Sequence, residues 1–383
     1  MRKIFSIFLI LTSTLVFGQQ LSSQSKVSLI TIAPGEELYS SFGHSAIRIT
    51  DPVNALDQSF NYGSFDFNAS NFYLRFLRGT LPYQISTHEF YREFEYYTYQ
   101  ENRGIEEQVL NLTLEQKQKV YDFLLNNLLP QNKEYAYKFF YDNCSTRLRD
   151  VFKTACGDSL KFDQQIHPDS SFREWIDVYA NSGELYWSDF GMDLAIGIPS
   201  DRKTGWKDAM FLPDNLRDAF GAAKIYKNGQ WVPVVTSLTK LNQTNPVKTE
   251  RPLPKPINLF LGLLIFGIAY TAFQYYKVNK SNVFDYIFFT ILGVSGWILF
   301  LLWFFTNHGV TNYNMNMLWA FPLLLPFIFS RKLQKNLRIF HTITSSICIV
   351  GYWFLPQQLH PAVLPVCILI IIRHLFYLKN SKA

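Results

Sequence analysis

The sequence predicts an α+β extracytoplasmic domain followed by a five-helix transmembrane bundle. Three observations carry that expectation. The chain opens with the layout of a secretory signal, it alternates strand-like and helix-like patterns up to about residue 156, and its last third is a succession of long apolar stretches.

Residues 1–18 supply the signal. Arg2 and Lys3 give a positive start, Ile4 to Phe17 is apolar, and Val16 and Gly18 fit the small-residue cleavage rule, so the mature chain is expected to begin at Gln19. No cysteine sits at that junction, so the product is not itself a lipoprotein.

Residues 19–244 are expected to form the folded domain. Lys26 to Ile32 alternates weakly, and His44 to Thr50 alternates well until Asp51-Pro52 stops it. Gln58 to Phe67 is a second aromatic strand-like run, and the two could pair as a hairpin. The aromatic stretch 71–97, with Arg75, Arg78 and Arg92 interleaved, is left between core and interface. Thr113 and Gln116 form a capping-box pair ahead of apolar residues at helical spacing up to Pro130. Glu134 to Tyr141 is extended, and a helix is expected from Asp142 or Asn143 to Cys156, with Gly157 as its stop. Lys227-Asn228-Gly229-Gln230 marks a hairpin turn. Pro246, Pro252, Pro254 and Pro256 make 245–256 a stiff linker.

The membrane domain is expected over 257–383. Five apolar stretches, 257–276, 286–306, 317–330, 339–355 and 361–378, approach the length a spanning helix needs. The third contains Pro322 and Pro326. Five spans entered from outside put the C-terminus in the cytoplasm, and the basic residues agree. Lys277, Lys280, Arg331, Lys332, Lys335, Arg338, Arg373, Lys379 and Lys382 fall at the inner ends, whereas loops 307–316 and 356–360 carry none. The chain's net charge of +6 therefore belongs to the membrane half: ten Lys/Arg face one acid (Asp285) after residue 251, against 26 and 29 before it. This is not the charge distribution of a nucleic-acid-binding surface.

Two short segments carry the chemistry. Phe42-Gly43-His44-Ser45 puts a histidine at a strand entrance, and Asp142-Asn143-Cys144-Ser145-Thr146-Arg147 puts a cysteine in the first turn of a helix. A thiol's pKa falls at a helix N-terminus or beside histidine, which is how a thiolate nucleophile is made. His44 would act as general base and later as acid. The same first-turn N–H groups could hold an oxyanion. A third group usually orients the base. Asn61, Tyr62, Ser64 and Asp66 are the polar candidates on the second strand, and Asn61 is the choice. The polar loop from Thr306 through His308, Asn312, Asn314 and Asn316 is either a solvated turn or a substrate contact facing the domain.

The competing reading of Cys144 is a disulfide with Cys156. Twelve residues of helix rise about 18 Å, whereas bridged Cα atoms lie within about 7 Å, so the helix would exclude it. Cys156, Cys348 and Cys367 read as packing residues, and His88 and His167 as surface residues. The histidines and cysteines lack zinc spacing and no phosphate-cradling glycine loop is present, so no cofactor and no metal are expected.

A histidine on a strand followed by Asn-Cys on a helix is similar to circularly permuted papain-like folds, such as the NlpC-type amidases and the lecithin:retinol acyltransferase group. More closely, the chain resembles the Lnb family of lipoprotein N-acyltransferases of Bacteroidota. The matching stretches are Phe42 to Arg48, Asn61 to Phe67, Asn111-Leu112-Thr113 and Tyr141 to Arg147, with His308, Asn314, Asn316, Leu318 and Trp319 in the membrane half. The resemblance implies a permuted papain-like periplasmic domain on a multi-pass inner-membrane protein, with Cys144 and His44 catalytic. Asn61 is expected to be their third member, and Asn143, His308 and Asn314 to bind substrate. The implied partners are a membrane phospholipid as acyl donor and diacylated apolipoproteins as acceptors. The rival readings are a cell-wall cysteine amidase or peptidase, and a membrane-anchored binding domain without catalysis.

Overall fold

The computed structural model describes residues 19–164, 169–244, 253–276, 281–325 and 334–380. The expected signal 1–18, His167, most of the expected linker, and the end of the third expected span lie outside the described residues.

The N-terminal half begins with strands β1 (Lys26–Ile32), β2 (His44–Asp51) and β3 (Leu56–Ser64). Then come α1 (Phe72–Leu77), β4 (Pro82–Glu89), α2 (Phe90–Glu95), β5 (Ile105–Leu110), α3 (Leu114–Leu128) and β6 (Glu134–Ala136). Helix α4 (Cys144–Cys156) leads to β7 (Leu160–Lys161) and to α5 (Phe172–Ser182), α6 (Tyr186–Ala195), α7 (Gly205–Ala209) and α8 (Pro213–Ala222). The short β8 (Lys224–Lys227) and β9 (Gln230–Pro233) form a hairpin, and β10 (Val235–Lys240) closes the half.

Strands order as β10-β5-β1-β2-β3-β4-β6 in one antiparallel sheet. β1 is an interior strand, between β5 and β2, and is buried on both faces, which explains its weak alternation. Val27 and Leu29 face the main core with Ile47, Ile49, Phe60, Leu124, Leu148, Phe152 and Phe220 from β2, β3, α3, α4 and α8. Ile30 and Ile32 turn to the opposite face, where Ala46, Ile105 and Phe90 of α2 cover them. The capping box of α3 is present: Thr113 Oγ1 accepts from Gln116 N and Gln116 Oε1 from Thr113 N. All four cysteines are free, with Cys144 and Cys156 at opposite ends of α4.

In the C-terminal half, α9 (Pro256–Tyr276) and α10 (Val283–Phe304) are long and apolar enough to cross a membrane. Helices α11 (Gln334–Val350) and α12 (Val363–Asn380) are shorter and pack with them. The third expected span opens as a 3₁₀ turn over Met315–Leu318 followed by turns through Pro322, and is helical again only from Leu324.

The halves meet along a polar seam at the end of α6. A helix leaves its last carbonyls without intrahelical donors. Here the C-terminal half supplies them. Asn316 Nδ2 donates to Asp193 O (3.0 Å), Asn314 Nδ2 to Leu194 O (2.6 Å) and Ala195 O (3.1 Å), and Gln357 Nε2 to Ile196 O (3.1 Å). Gly197 N donates to Val310 O at 2.7 Å. A Cβ at Gly197 would lie 2.0 Å from Asn312 O, so only glycine allows this approach.

Candidate active site

Helix α4 starts where it does because Asn143 caps it. Asn143 Oδ1 accepts from Thr146 N (2.9 Å), Thr146 Oγ1 accepts from Asn143 N (2.8 Å), and Asn143 Nδ2 donates to Phe139 O and Phe211 O (2.8 and 2.7 Å). Arg147 grips Asp142 with two bonds (2.6 and 2.8 Å) and lies 3.5 Å over the Tyr135 ring, which fixes the turn before the cap. Cys144 is thereby held at the first helical position, buried, where the backbone dipoles favour an anion.

His44 opens β2 beside it, and the ring and the thiol are near enough to act on each other's charge. His44 Nε2 lies 2.9 Å from Asn61 Oδ1. An amide oxygen only accepts, so Nε2 carries the proton and Nδ1 is left to face the sulfur. The amide's orientation is itself fixed, because Asn61 Nδ2 donates to Glu93 Oε2 (2.9 Å) and Ser59 Oγ (3.2 Å). A relay therefore runs Cys144, His44, Asn61, Glu93, with Glu93 supplied by α2 from behind the sheet. Sequence reading missed Glu93. It lies in the aromatic stretch whose structure the pattern left open, and an acid among Phe90, Tyr91 and Phe94 is its one local signal.

Burial opposes charge on both members of the pair. At His44 the attraction and hydrogen bond of Cys144, the Asn61 bond and the charge of Glu93 outweigh burial, and the imidazole pKa is raised. At Cys144 the charge and hydrogen bond of His44, the Ser45 N–H and the Ser145 hydroxyl outweigh it, and the thiol pKa is lowered. Ser45 Oγ and Ser145 Oγ lie 3.0 Å apart and tie the strand start to the helix start. The arrangement suits an imidazolium–thiolate pair, with first-turn amides alongside it for a developing oxyanion.

The pair opens into a cleft of ≈ 840 Å³. His44, Asn61, Asn143 and Cys144 line it together with Phe65, Phe67, Phe76, Tyr83, Tyr137 and Met192. Two residues of the C-terminal half, His308 and Val310, complete its wall. His308 Nε2 lies 3.0 Å from Leu77 O, and burial lowers its pKa, so the ring is neutral and donates to that carbonyl. It packs on Gly79, where a Cβ would come within 2.9 Å of His308 Nδ1. Asn307 N donates to Arg78 O at 2.8 Å, and Lys138 Nζ holds Asn307 O. Asn314 is not brought to the cleft; its amide is spent on the seam and on Asn316 N and Gln357. The side chain of Asn143 is likewise spent, on the cap.

Among the described residues, Asp189, Asp193 and His360 bring one potential ligand atom each within 4.8 Å. Their bonding suits protons better than a metal. His360 Nδ1 accepts the Ala362 N–H (3.1 Å), so the neutral ring carries its proton on Nε2, 3.9 Å from Asp189 Oδ2. Arg173 already holds Asp193 at 2.6 Å. Burial and neighbouring carboxylates raise Asp189 to about 6 and Asp177 to about 8.

Residues 17–177 match the family described as the Lnb N-terminal periplasmic domain, and residues 248–382 match the Lnb transmembrane domain. No curated protein and no solved structure matches the chain. The two matches cover both halves in their expected order and span His44, Cys144 and His308. The chain belongs to the Lnb family of lipoprotein N-acyltransferase-type membrane proteins, with a periplasmic domain joined to a transmembrane one.

Proposed function

We propose that the protein moves an acyl chain from a membrane phospholipid to the α-amine of a lipoprotein's N-terminal diacylglyceryl-cysteine, through a thioester on Cys144. The observation that carries this reading is the cleft itself: a paired thiol and imidazole lie in a cavity whose wall is completed by residues following a membrane-crossing helix. A hydrolase acting on soluble peptides has no need of such a wall.

In the first step the Cys144 thiolate attacks the ester carbonyl. The amides of the first turn of α4 carry the oxyanion, the acyl C–O bond breaks, and the His44 imidazolium gives its proton to the leaving lyso-lipid oxygen. In the second step the free amine attacks the thioester, the C–S bond breaks, and His44 takes the proton released from nitrogen. An amide forms and the thiolate is restored. Asn61 holds the ring so that one nitrogen faces sulfur in both steps. His308 acts as a neutral wall residue that keeps α1 in place. The full arrangement in this reading is a permuted papain-like domain over 19–244, a linker over 245–256, and five spans over 257–383. It sits in the inner membrane with its C-terminus in the cytoplasm.

The test is mass spectrometry of a lipoprotein N-terminus in cells whose only copy carries Cys144→Ser. Loss of the third acyl chain is expected. Continued triacylation would sink the reading, and release of amines from murein peptides by the purified protein would favour hydrolysis instead.

A further inference from the structure

The cleft opens at the protein surface. Helix α1 and the residues before it present Phe67, Tyr73, Leu74, Phe76 and Leu77 to the outside, with Tyr73 79 % and Phe67 71 % exposed. Five large apolar side chains in one short segment would be a liability on a water-facing surface. Their location supplies the cover. The end of α1 is held through Leu77 O and Arg78 O by His308 and Asn307, which follow within a few residues the exposed Phe304 and Phe305 at the outer end of α10. The lipid-facing surface of a membrane helix thus continues onto α1. Phe67 and Phe76 are both exposed and both line the cleft, so the cleft is continuous with this apolar segment. Arg75 lies within the apolar set and Arg78 directly follows it, basic side chains of the kind that reach from an apolar layer towards phosphates.

We propose that the segment from Phe65 to Leu77 is immersed in the periplasm-facing leaflet and is the doorway through which a phospholipid acyl chain slides sideways to Cys144. The proposal rests on the acyl-transfer reading for its substrate but not for its geometry. Phe65, Phe67, Phe72 and Phe76 pack ring against ring, edge-on, tilted and stacked, at centroid distances from 4.8 to 6.2 Å, giving a continuous apolar track for a chain that never leaves lipid. Such an interfacial element lies in the membrane plane, its aromatic side chains reaching the acyl boundary.

The experiment uses the full chain carrying Cys144→Ser, spin-labelled at Tyr73→Cys or Leu74→Cys and reconstituted in phosphatidylethanolamine–phosphatidylglycerol vesicles. Nitroxides at both positions are expected to relax more with oxygen than with a water-soluble nickel chelate, as a label at Ile298→Cys on α10 should. A label at Leu238→Cys on β10 should show the reverse. If positions 73 and 74 behave like 238, the proposal falls. A second arm uses Leu74→Glu with Cys144 intact. Acylation of Cys144 from vesicle phospholipid should drop at least tenfold, while acylation by a water-soluble short-chain p-nitrophenyl ester stays within twofold. Equal rates with both donors, or equal losses, would overturn the doorway. Failure of the acyl-transfer reading would be recognised separately, as an unmodified chain that takes no acyl group from either donor while its lip still reports lipid.

Discussion

Asn61 Nδ2 donates to Glu93 Oε2 at 2.9 Å, and that one bond decides which way the amide faces His44. A carboxylate cannot donate, so Asn61 must turn its oxygen to the Nε2–H of the imidazole, which leaves the other ring nitrogen, the one that exchanges its proton with the thiol, facing sulfur. Glu93→Gln removes the negative charge and leaves the orientation unfixed, because a glutamine can donate to Asn61 as well as accept from it. The rate is expected to fall roughly 10- to 100-fold, less than the ~10⁴ lost when a serine-triad orienter is reversed. Glu93 helps to raise the His44 pKa, so its removal lowers that pKa and moves the alkaline limb of the pH–rate profile to lower pH. A purely structural role would cut the rate and leave the limb where it was.

The acylation rate should be bell-shaped in pH. The thiol's pKa is lowered and the imidazole's is raised, and both shifts favour the ion pair as the reactive form. Activity rises as Cys144 ionises and falls as His44 loses its proton. Iodoacetamide alkylation across pH checks this, and His44→Ala should shift the thiolate limb upward.

Asn143→Ala should destabilise the domain and blunt the thiol together. The lost cap costs about 1 kcal/mol, and the freed Phe139 and Phe211 carbonyls add about 1–3 kcal/mol each if they stay dry. Denaturant melts in detergent measure the first effect, and thiolate absorbance near the helix start the second.

Gly197→Ala tests the seam. Its Cβ would meet the Asn312 carbonyl at 2.0 Å, and backbone cannot swing aside as a side chain can. A loss of about 1–3 kcal/mol is expected, with faster proteolysis of the full chain between its halves.

Acid stability should depend on Asp51. Its carboxylate accepts from Ser22 N and Oγ (both 2.6 Å), Asn54 Nδ2 (2.8 Å) and Val53 N (3.1 Å). Against the cost of burial, the Ser22, Asn54 and Val53 bonds lower its pKa to about 2. Because the folded pKa is depressed, the stabilisation is present above the ordinary aspartate value and disappears as pH falls through about 2. Unfolding free energies between pH 2 and 5 should therefore slope less in Asp51→Asn.

The parts of the fold that were legible in the sequence are those built by local rules. The Thr113 and Asn143 caps, the β2–β3 hairpin and the start of α4 all depend on residues within a few positions of one another. Strands β5 and β10 were not anticipated, nor were α5 to α8. β5 gains its place by pairing with β1 and β10, at sequence distances that no local pattern encodes. The site divides in the same way. His44, Cys144 and Asn61 could be named from motif and position, whereas Glu93 emerges only once α2 folds behind the sheet. The asparagines after His308 drew attention by their polarity between two apolar stretches. Asn314 and Asn316 serve α6 rather than a ligand, because their partners lie some 120 residues earlier in the chain.

The capping of α6 by the other half of the chain bears on how this protein can be made. A periplasmic fragment severed before the first membrane helix would end α6 with the carbonyls of Asp193, Leu194, Ala195 and Ile196 stripped of their amide donors, and would lose the wall behind α1 as well. Secretion of that fragment alone would yield a chain whose Cys144 stands in a cavity lacking the wall that His308 and Val310 supply. Translation through Gln357 is thus a precondition for capping α6 and closing the cleft around Cys144, and a truncation upstream of it in the C-terminal half should silence a thiol that it never touches.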